Sequence, residues 1–366
     1  MPNNKNQHYV PRCHLKPFTV DGQGRCINLF NLPRSAPIAD APVKNQCSGD
    51  YFYGADEKLE SAINSVENGY AGLLPDMLNV NARVDARLRI VLQRFIYLQH
   101  LRTELSSRNA AKMLLAMYDI PGQTEPTPNL KDAARQAVHS SMLAYSDTMR
   151  MVDDLAVCII RNSSGSPFIT SDNPAIETNR WHLQDPRTAG RGFGAGSAGA
   201  IFLLPLSPDR LAMLYDADVY AIPERGGVVD LVKRSDVEAL NAHQVLNCMS
   251  NLYFRRWEDR PLVTAQASRA APYRPSTPHT VHHAVLADRD GWGARYDVQD
   301  RETLEPGREI LIRVVPNAPR PIAWPSFLNL RPDGVVYSNG TGAGFKRWGV
   351  IQAGFVSGQN YRPYRA

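Results

Sequence analysis

At 366 residues, with 43% hydrophobic and 21% charged side chains and a formal net charge of +5, the chain has the make-up of an ordinary folded protein of about two domains or one elaborated one. No run approaches the roughly 18 apolar residues that cross a bilayer, and Met1-Pro2-Asn3-Asn4-Lys5 has no apolar segment behind its lysine, so neither membrane insertion nor secretion is expected. Five scattered cysteines (Cys13, Cys26, Cys47, Cys158, Cys248) contain no C-x-x-C pair, which argues against a disulfide framework and a zinc site and for the cytoplasm.

The chain opens on Asn6-Gln7-His8-Tyr9-Val10-Pro11-Arg12, a polar cluster too short for an ordinary core element. The turn Asp21-Gly22-Gln23-Gly24 leads into a strand over Cys26–Phe30, a Pro-rich connection follows, and then Tyr51-Phe52-Tyr53-Gly54. From Asp56 to Leu74, Leu59, Ile63, Val66 and Tyr70 fall at helical spacing, with Pro75 expected to end or kink the helix. A second helix is predicted over Asp85–Tyr118, with Leu88, Leu92, Phe95 and Leu98 on its apolar face, and a third over Lys131–Leu155. The periodicity then shortens. Val157–Ile160, Pro167–Thr170, Ala200–Pro205 and Leu211–Tyr215 read as strands, and Asp236–Ser250 as a helix. The glycine-rich stretch 186–199 reads as a loop, lacking the strand and helix that flank a dinucleotide-binding turn. Beyond about Arg260 prolines break the pattern into linker and strands over Glu309–Val315, Val335–Gly340 and Gly349–Gln352.

Charge is uneven. From Arg255 to Ala366, 16 Lys and Arg face 10 Asp and Glu, so this third alone carries a surplus of six. Interleaved with Trp257, Tyr273, Trp292, Trp324 and Tyr337, it suits a polyanion such as nucleic acid or a nucleotide, or else is plain solubility chemistry.

Several residues are candidates for chemistry. His8 can exchange a proton near neutral pH, Arg12 can hold an anionic oxygen through its planar fork, and Tyr9 offers a hydroxyl; alternatively His8 fastens a terminal strand. Gln99 and Arg102 lie at i+4 and i+7 from Phe95, on the apolar face, so Arg102 is either half of a structural ion pair or a buried anion ligand. Ser171-Asp172-Asn173-Pro174 leaves a strand end, where Asp172 can orient His8 or bind a divalent cation and Asn173 can donate to a substrate, unless the segment is an Asx-turn. Glu60 and Glu67 flank Ile63 on one side of the first helix; with Asp172 they are the carboxylates for a metal such as Mg or Mn. His279, His282 and His283 are a weaker cluster, since adjacent residues of a strand point to opposite faces.

These segments together resemble the bacterial family DUF4238, a domain of unknown function. The resemblance is carried by Asn6–Arg12 through Phe18, Tyr51–Gly54 with Glu60 and Glu67, Gln99–Thr103, Ser171–Pro174, Leu204–Pro208 and Asp236–Asn241, in order over residues 6 to 260. Cys13-His14 stands where the family more often has an aromatic or aliphatic pair. The resemblance implies no activity; it suggests an accessory protein of mobile or defence-related gene neighbourhoods.

The expected architecture is α+β: an N-terminal β segment, a helical middle and a β-rich second half, with residues 1–260 as the family domain and 261–366 as a basic β extension or small domain. The leading functional expectation is an enzyme acting on a phosphate-containing substrate, a nuclease of bacterial defence or toxin type. In it His8 and Asp172 are catalytic, and Tyr9, Arg12, Gln99, Arg102 and Asn173 bind substrate. Asp172, Glu60 and Glu67 hold a divalent cation, and no organic cofactor takes part. A nucleotide or nucleic-acid sensor and a structural or partner-binding protein are the alternatives, and a homo-oligomer is compatible with all three.

Overall fold

The computed structural model describes residues 6–50, 52, 57–118, 127–290 and 293–366. It is a mixed α+β fold with N-terminal strands, a helical middle and a sheet-rich second half that ends in small sheets. The chain begins with β1 (Asn6–His8), a helical turn α1 (Arg12–Leu15), β2 (Cys26–Asn31), β3 (Ala36–Pro42) and β4 (Ser48–Asp50). Helices α2 (Glu57–Leu78), α3 (Ala86–Leu101), α4 (Glu104–Tyr118) and α5 (Leu130–Thr148) follow. Next come β5 (Ala156–Asn162), β6 (Thr170–Ser171), β7 (Ile176–Thr178), α6 (Arg180–Gln184), β8 (Ile201–Ser207), β9 (Arg210–Tyr215), β10 (Tyr220–Ala221), β11 (Val228–Leu231), α7 (Arg234–Asn247), β12 (Asn251–Phe254) and α8 (Arg260–Ala270). The chain closes with β13 (His279–Asp290), β14 (Gly293–Gln299), β15 (Ile310–Pro316), β16 (Asn329–Leu330), β17 (Val335–Ser338), α9 (Trp348–Gln352) and β18 (Arg362–Arg365).

Two sheets carry the core. The larger has the order β11-β5-β9-β8-β7, and the alternation of each strand sorts its side chains between two layers. Val157, Ile159, Phe202, Leu204, Ala212 and Leu214 face α2, α3 and α5, while Cys158, Ile160, Ile201, Leu203, Leu211 and Met213 face α7 and the chain end. Burial on both faces explains why β8 reads as an unbroken apolar run. The smaller sheet, β3-β2-β12-β6, packs Phe30, Ile169, Leu252 and Phe254 against Val245 and Leu246 of α7 and Val263 and Ala267 of α8.

The structure departs from the sequence-based expectations at four places. The predicted helix Asp85–Tyr118 is two helices, because Arg102 leaves helical geometry (φ −107°, ψ 4°) and the Thr103 hydroxyl accepts the Ser106 N–H (3.3 Å) to begin a new one. The third helix stops at Thr148, and turns occupy the stretch up to Leu155. Gly349–Gln352 is helical, and Arg260–Ala270 is a helix with Pro261 in its first turn, a position that needs no N–H donor. The residues beyond 260 make two kinds of contact. The sheet β14-β13-β15 stands out as a small unit, but β16 pairs with β10, and Leu328, Val336, Trp324 and Phe345 join the core of the large sheet. Arg347, 3% exposed, seals that return by binding the Asp154 carboxylate (2.9 and 3.1 Å) and the carbonyls of Met151 and Ser197.

Of Tyr51–Gly54 only Phe52 is among the described residues; Tyr51, Tyr53, Gly54, the start expected at Asp56, and Trp292 lie outside them. Among the described residues no helix is long and apolar enough to cross a membrane.

Candidate functional site

Antiparallel pairing of β1 with β4 (Gln7 opposite Gly49, His8 opposite Ser48) fixes the N-terminal motif at its start, and Pro11, at φ −67°, starts α1 at its end. Between them Tyr9 is buried, and it is the hub of the motif. Its carbonyl accepts from Gln99 Nε2 (2.9 Å), and its phenol donates to Glu104 Oε2 (3.2 Å) at the start of α4. Gln99 Oε1 in turn accepts from Arg102 Nε (2.9 Å) and Nη2 (2.7 Å), and Arg102 Nη1 pairs with Glu67 of α2. Arg102 is wholly buried, as a charged group facing a core must be only when paired. Tyr9, Gln99, Arg102 and Glu67 are thus one continuous network joining the N-terminal segment, α2 and α3.

The Ser171–Pro174 turn meets the same corner from the other side. Asn173 Oδ1 accepts the Thr103 hydroxyl (2.7 Å), and its amide donates to the Asn247 carbonyl (2.9 Å). Both Asp172 oxygens are used: they accept the backbone N–H groups of Met249 (2.8 Å), Ser250 (2.7 Å) and Asn251 (2.8 Å). Burial pushes the Asp172 carboxyl up to about 6, against the pull of those three N–H groups. Burial also raises the Tyr9 phenol, with Cys47, Asp172 and Glu104 adding to it.

His8 is half-buried beside the Gln46 carbonyl (Nδ1 to O, 3.2 Å). Burial holds its imidazole below the ordinary value; that carbonyl opposes the shift and Arg12 adds to it. Arg12 is exposed. Glu60 lies seven residues from Glu67, about 10 Å along α2 at 1.5 Å per residue, so the two cannot share one ion. With Glu67 turned to Arg102 and Asp172 to backbone, the expected metal carboxylates do not converge. Among the described residues no group of three His, Cys, Asp or Glu side chains lies close enough to hold a metal ion. His283 is buried and His279 sits four residues away along β13, about 13 Å in a strand, so these histidines do not converge either.

A large opening lies beside this network. A cleft of about 1210 Å³ runs between α1 and its following turn, the C-terminal half of α2, the loop 162–167, the β8–β9 hairpin and the segment after β12. Three acids line it, and each is neutralised: Asp21 by Arg25 (2.7 Å), Asp209 by Arg210 (2.9 Å) and Asp259 by Arg256 (3.1 Å). Lys16 and Arg255 also line the cleft and are exposed, and neither pairs with a carboxylate among the described residues. The cleft therefore carries two uncompensated cations. Lys16 follows Arg12 by one helical turn, its N–H bonded to the Arg12 carbonyl, but the sequence offers nothing to single it out. Arg255 is distant in sequence, and only the β2–β12 register, with Asn28 opposite Phe254, brings it beside the turn that precedes β2.

The family model for proteins of unknown function designated DUF4238 matches residues 6–258, well over half of the chain. The protein belongs to the DUF4238 family. Searches of curated proteins and of solved structures gave no match.

Proposed function

We propose that this protein recognises a phosphate-containing ligand in the cleft, with Lys16 and Arg255 as the groups that neutralise it. The observation that carries this reading is the charge balance of the lining: every carboxylate is paired, and two cations are left over. Arginine supplies a planar fork for phosphate oxygens and lysine a compact point charge, so the pair suits a dianion. Both network motifs support the clamp. The Tyr9 network fixes the segment that ends in Lys16, and Asp172 fastens the backbone of Met249–Asn251, where β12 starts on its way to Arg255.

Hydrolysis of the bound ligand, as by a nuclease of defence or toxin type, is the finer reading. Its proton-transfer group would be His8, whose lowered pKa leaves it neutral and able to accept a proton at pH 7, with Arg12 beside it for an anionic oxygen and Mg or Mn supplied with the substrate; neither residue lines the cleft, so this reading needs a substrate that extends beyond it to His8. Asp172, Asn173, Gln99 and Arg102 serve in this reading as positioning residues. A basic C-terminal surface for nucleic acid is a further element of it.

Titration calorimetry with pyrophosphate tests the coarser proposal. Lys16→Ala and Arg255→Ala should each weaken binding by about 10- to 150-fold, the worth of one charge-assisted contact of about 1.5–3 kcal/mol. Unchanged binding in both would remove the cleft from consideration. Release of product from labelled oligonucleotides with Mg, Mn or a chelator, in the parent and in His8→Ala, tests hydrolysis; no turnover under any of these conditions would leave recognition alone.

A further inference from the structure

We infer that the phosphate-bearing ligand of the cleft is short, a nucleoside mono- or diphosphate rather than a nucleic-acid strand. This rests on the phosphate reading above and narrows it. The two cations form a compact clamp on one turn. The Lys16 stem lies on Gly24, where a methyl group would stand 3.7 Å from Lys16 Cγ, and the Arg255 guanidinium lies over Gly22, where it would stand 3.5 Å from Nη2. Both glycines have positive φ (70° and 83°), a conformation that keeps the turn free of side chains beneath the two cations. Gly22 and Gly24 are two residues apart, at most about 7 Å, so the Lys16 stem and the Arg255 guanidinium rest on one short turn, and the lysine has only its last carbons to extend before its ammonium.

A strand needs more than that. Non-specific single-strand sites combine a continuous cationic track with aromatic rings on which bases stack, and among the described residues no aromatic ring lines the cleft. Nor do Arg274, Arg289, Arg331 and Arg365 extend the clamp. Arg274 donates to the carbonyls of Val245 and Cys248, Arg331 to that of Ala217 and Arg365 to that of Pro332, while Arg289 pairs with Glu309. The rest of the cleft instead suits one base and one sugar. Leu74, Pro75 and Leu78 of α2 form an aliphatic wall, and Ser166, 5% exposed, has a hydroxyl with no hydrogen-bond partner in the same lining. A buried hydroxyl left unpaired is costly; its oxygen has under 1 Å² of open surface, so a ribose or base edge satisfies it only with a small shift of the 162–167 loop. The volume, above the roughly 300–1,000 Å³ of small-ligand sites, admits a whole nucleotide.

The test is titration of the full chain with ADP, pyrophosphate and a single-stranded ten-nucleotide oligomer at 50–200 mM salt. ADP should bind at least about tenfold tighter than pyrophosphate, and the oligomer no tighter than ADP. The log–log salt slope for the oligomer should stay near −1.4, the value for two single-strand phosphate contacts at roughly −0.7 each. Ser166→Ala should weaken ADP about fivefold and leave pyrophosphate unchanged, a contrast that loss of folding cannot produce. Pyrophosphate binding as tightly as ADP would overturn the nucleoside part and leave the phosphate reading intact. An oligomer binding tighter than ADP, with a slope steeper than about −3, would overturn the short ligand in favour of a strand. Failure of both ADP and pyrophosphate to bind the parent would overturn this inference and the proposed function together.

Discussion

Replacing Arg102 by alanine separates a structural ion pair from a ligand contact. The guanidinium is wholly buried, and its bonds include two to Gln99 Oε1 and one to Glu67. Removing one partner of a buried pair costs about 3–5 kcal/mol, because the other charge remains desolvated. Glu67 is 21% exposed, so water recovers part of that cost; Gln99 Oε1, stripped of both donors, adds back about 1 kcal/mol or more. The expected loss is therefore about 3 kcal/mol, a large share of the 5–15 kcal/mol that holds a typical domain folded. Arg102→Lys keeps the charge without the fork and should lose about half as much. Urea denaturation followed by circular dichroism measures both, and a cycle with Glu67→Gln should return a coupling of about 1–3 kcal/mol. An Arg102→Ala protein within about 0.5 kcal/mol of the parent would refute the reasoning and return Arg102 to the pool of ligand-binding groups.

Other outcomes follow from the same physical terms. Asp172 has a folded-state pKa raised to about 6 from 3.8, so between about pH 4 and 6 the folded chain keeps a proton that the unfolded chain has lost, and stability from this group declines as pH rises through that window. Relative to the parent, Asp172→Asn should therefore gain up to about 1.4 kcal/mol per pH unit over that interval, and parallel stability curves at pH 4.5 and 6 would count against it. Cys47, Cys158 and Cys248 are buried with thiols pushed upward, and burial pushes Cys13 up to about 11, so a thiol reagent should modify at most two cysteines in the native chain and all five in denaturant. A chain ending at residue 260 should lose cooperative unfolding, because Leu328, Val336 and Phe345 no longer complete the core around Trp181 and Tyr220; a sharp thermal transition in that fragment would contradict this.

The parts of the site that were legible in the sequence are those set by local period. Phe95, Gln99 and Arg102 share a helical face whatever lies opposite, so a buried arginine was predictable from spacing alone. Its partner was not. Glu60 and Glu67 are equivalent in pattern, and only the packing of α2 on α3 decides that Glu67 meets Arg102 while Glu60 does not. The break between α3 and α4 was hidden for a related reason: no glycine or proline marks it, and its cause is the Thr103 hydroxyl, committed to Ser106 and to Asn173 seventy residues away. The strand character of His282 and His283 was legible, but the extent of β13 over His279–Asp290 and its pairing with β14 were not, because both strands carry polar residues on both faces.

Lys16 and Arg255 were illegible for a deeper reason, which bears on what the family motifs specify. The residues with the strongest sequence signal, Tyr9, Arg102, Asp172 and Asn173, are buried and saturated with internal hydrogen bonds, whereas the two uncompensated cations sit in ordinary-looking surface segments. Each cation nevertheless lies a few residues downstream of a network contact: Lys16 after the Tyr9 carbonyl bonded to Gln99, and Arg255 after the Asn251 N–H bonded to Asp172. Antiparallel pairing of β2 with β12 then closes the loop between the two segments, and the Asn28 side chain donates to the Arg255 carbonyl itself (2.8 Å). Loosening either network should therefore cost ligand affinity in variants that remain folded, Arg102→Lys among them, because a two-point clamp loses binding as soon as its points can move independently.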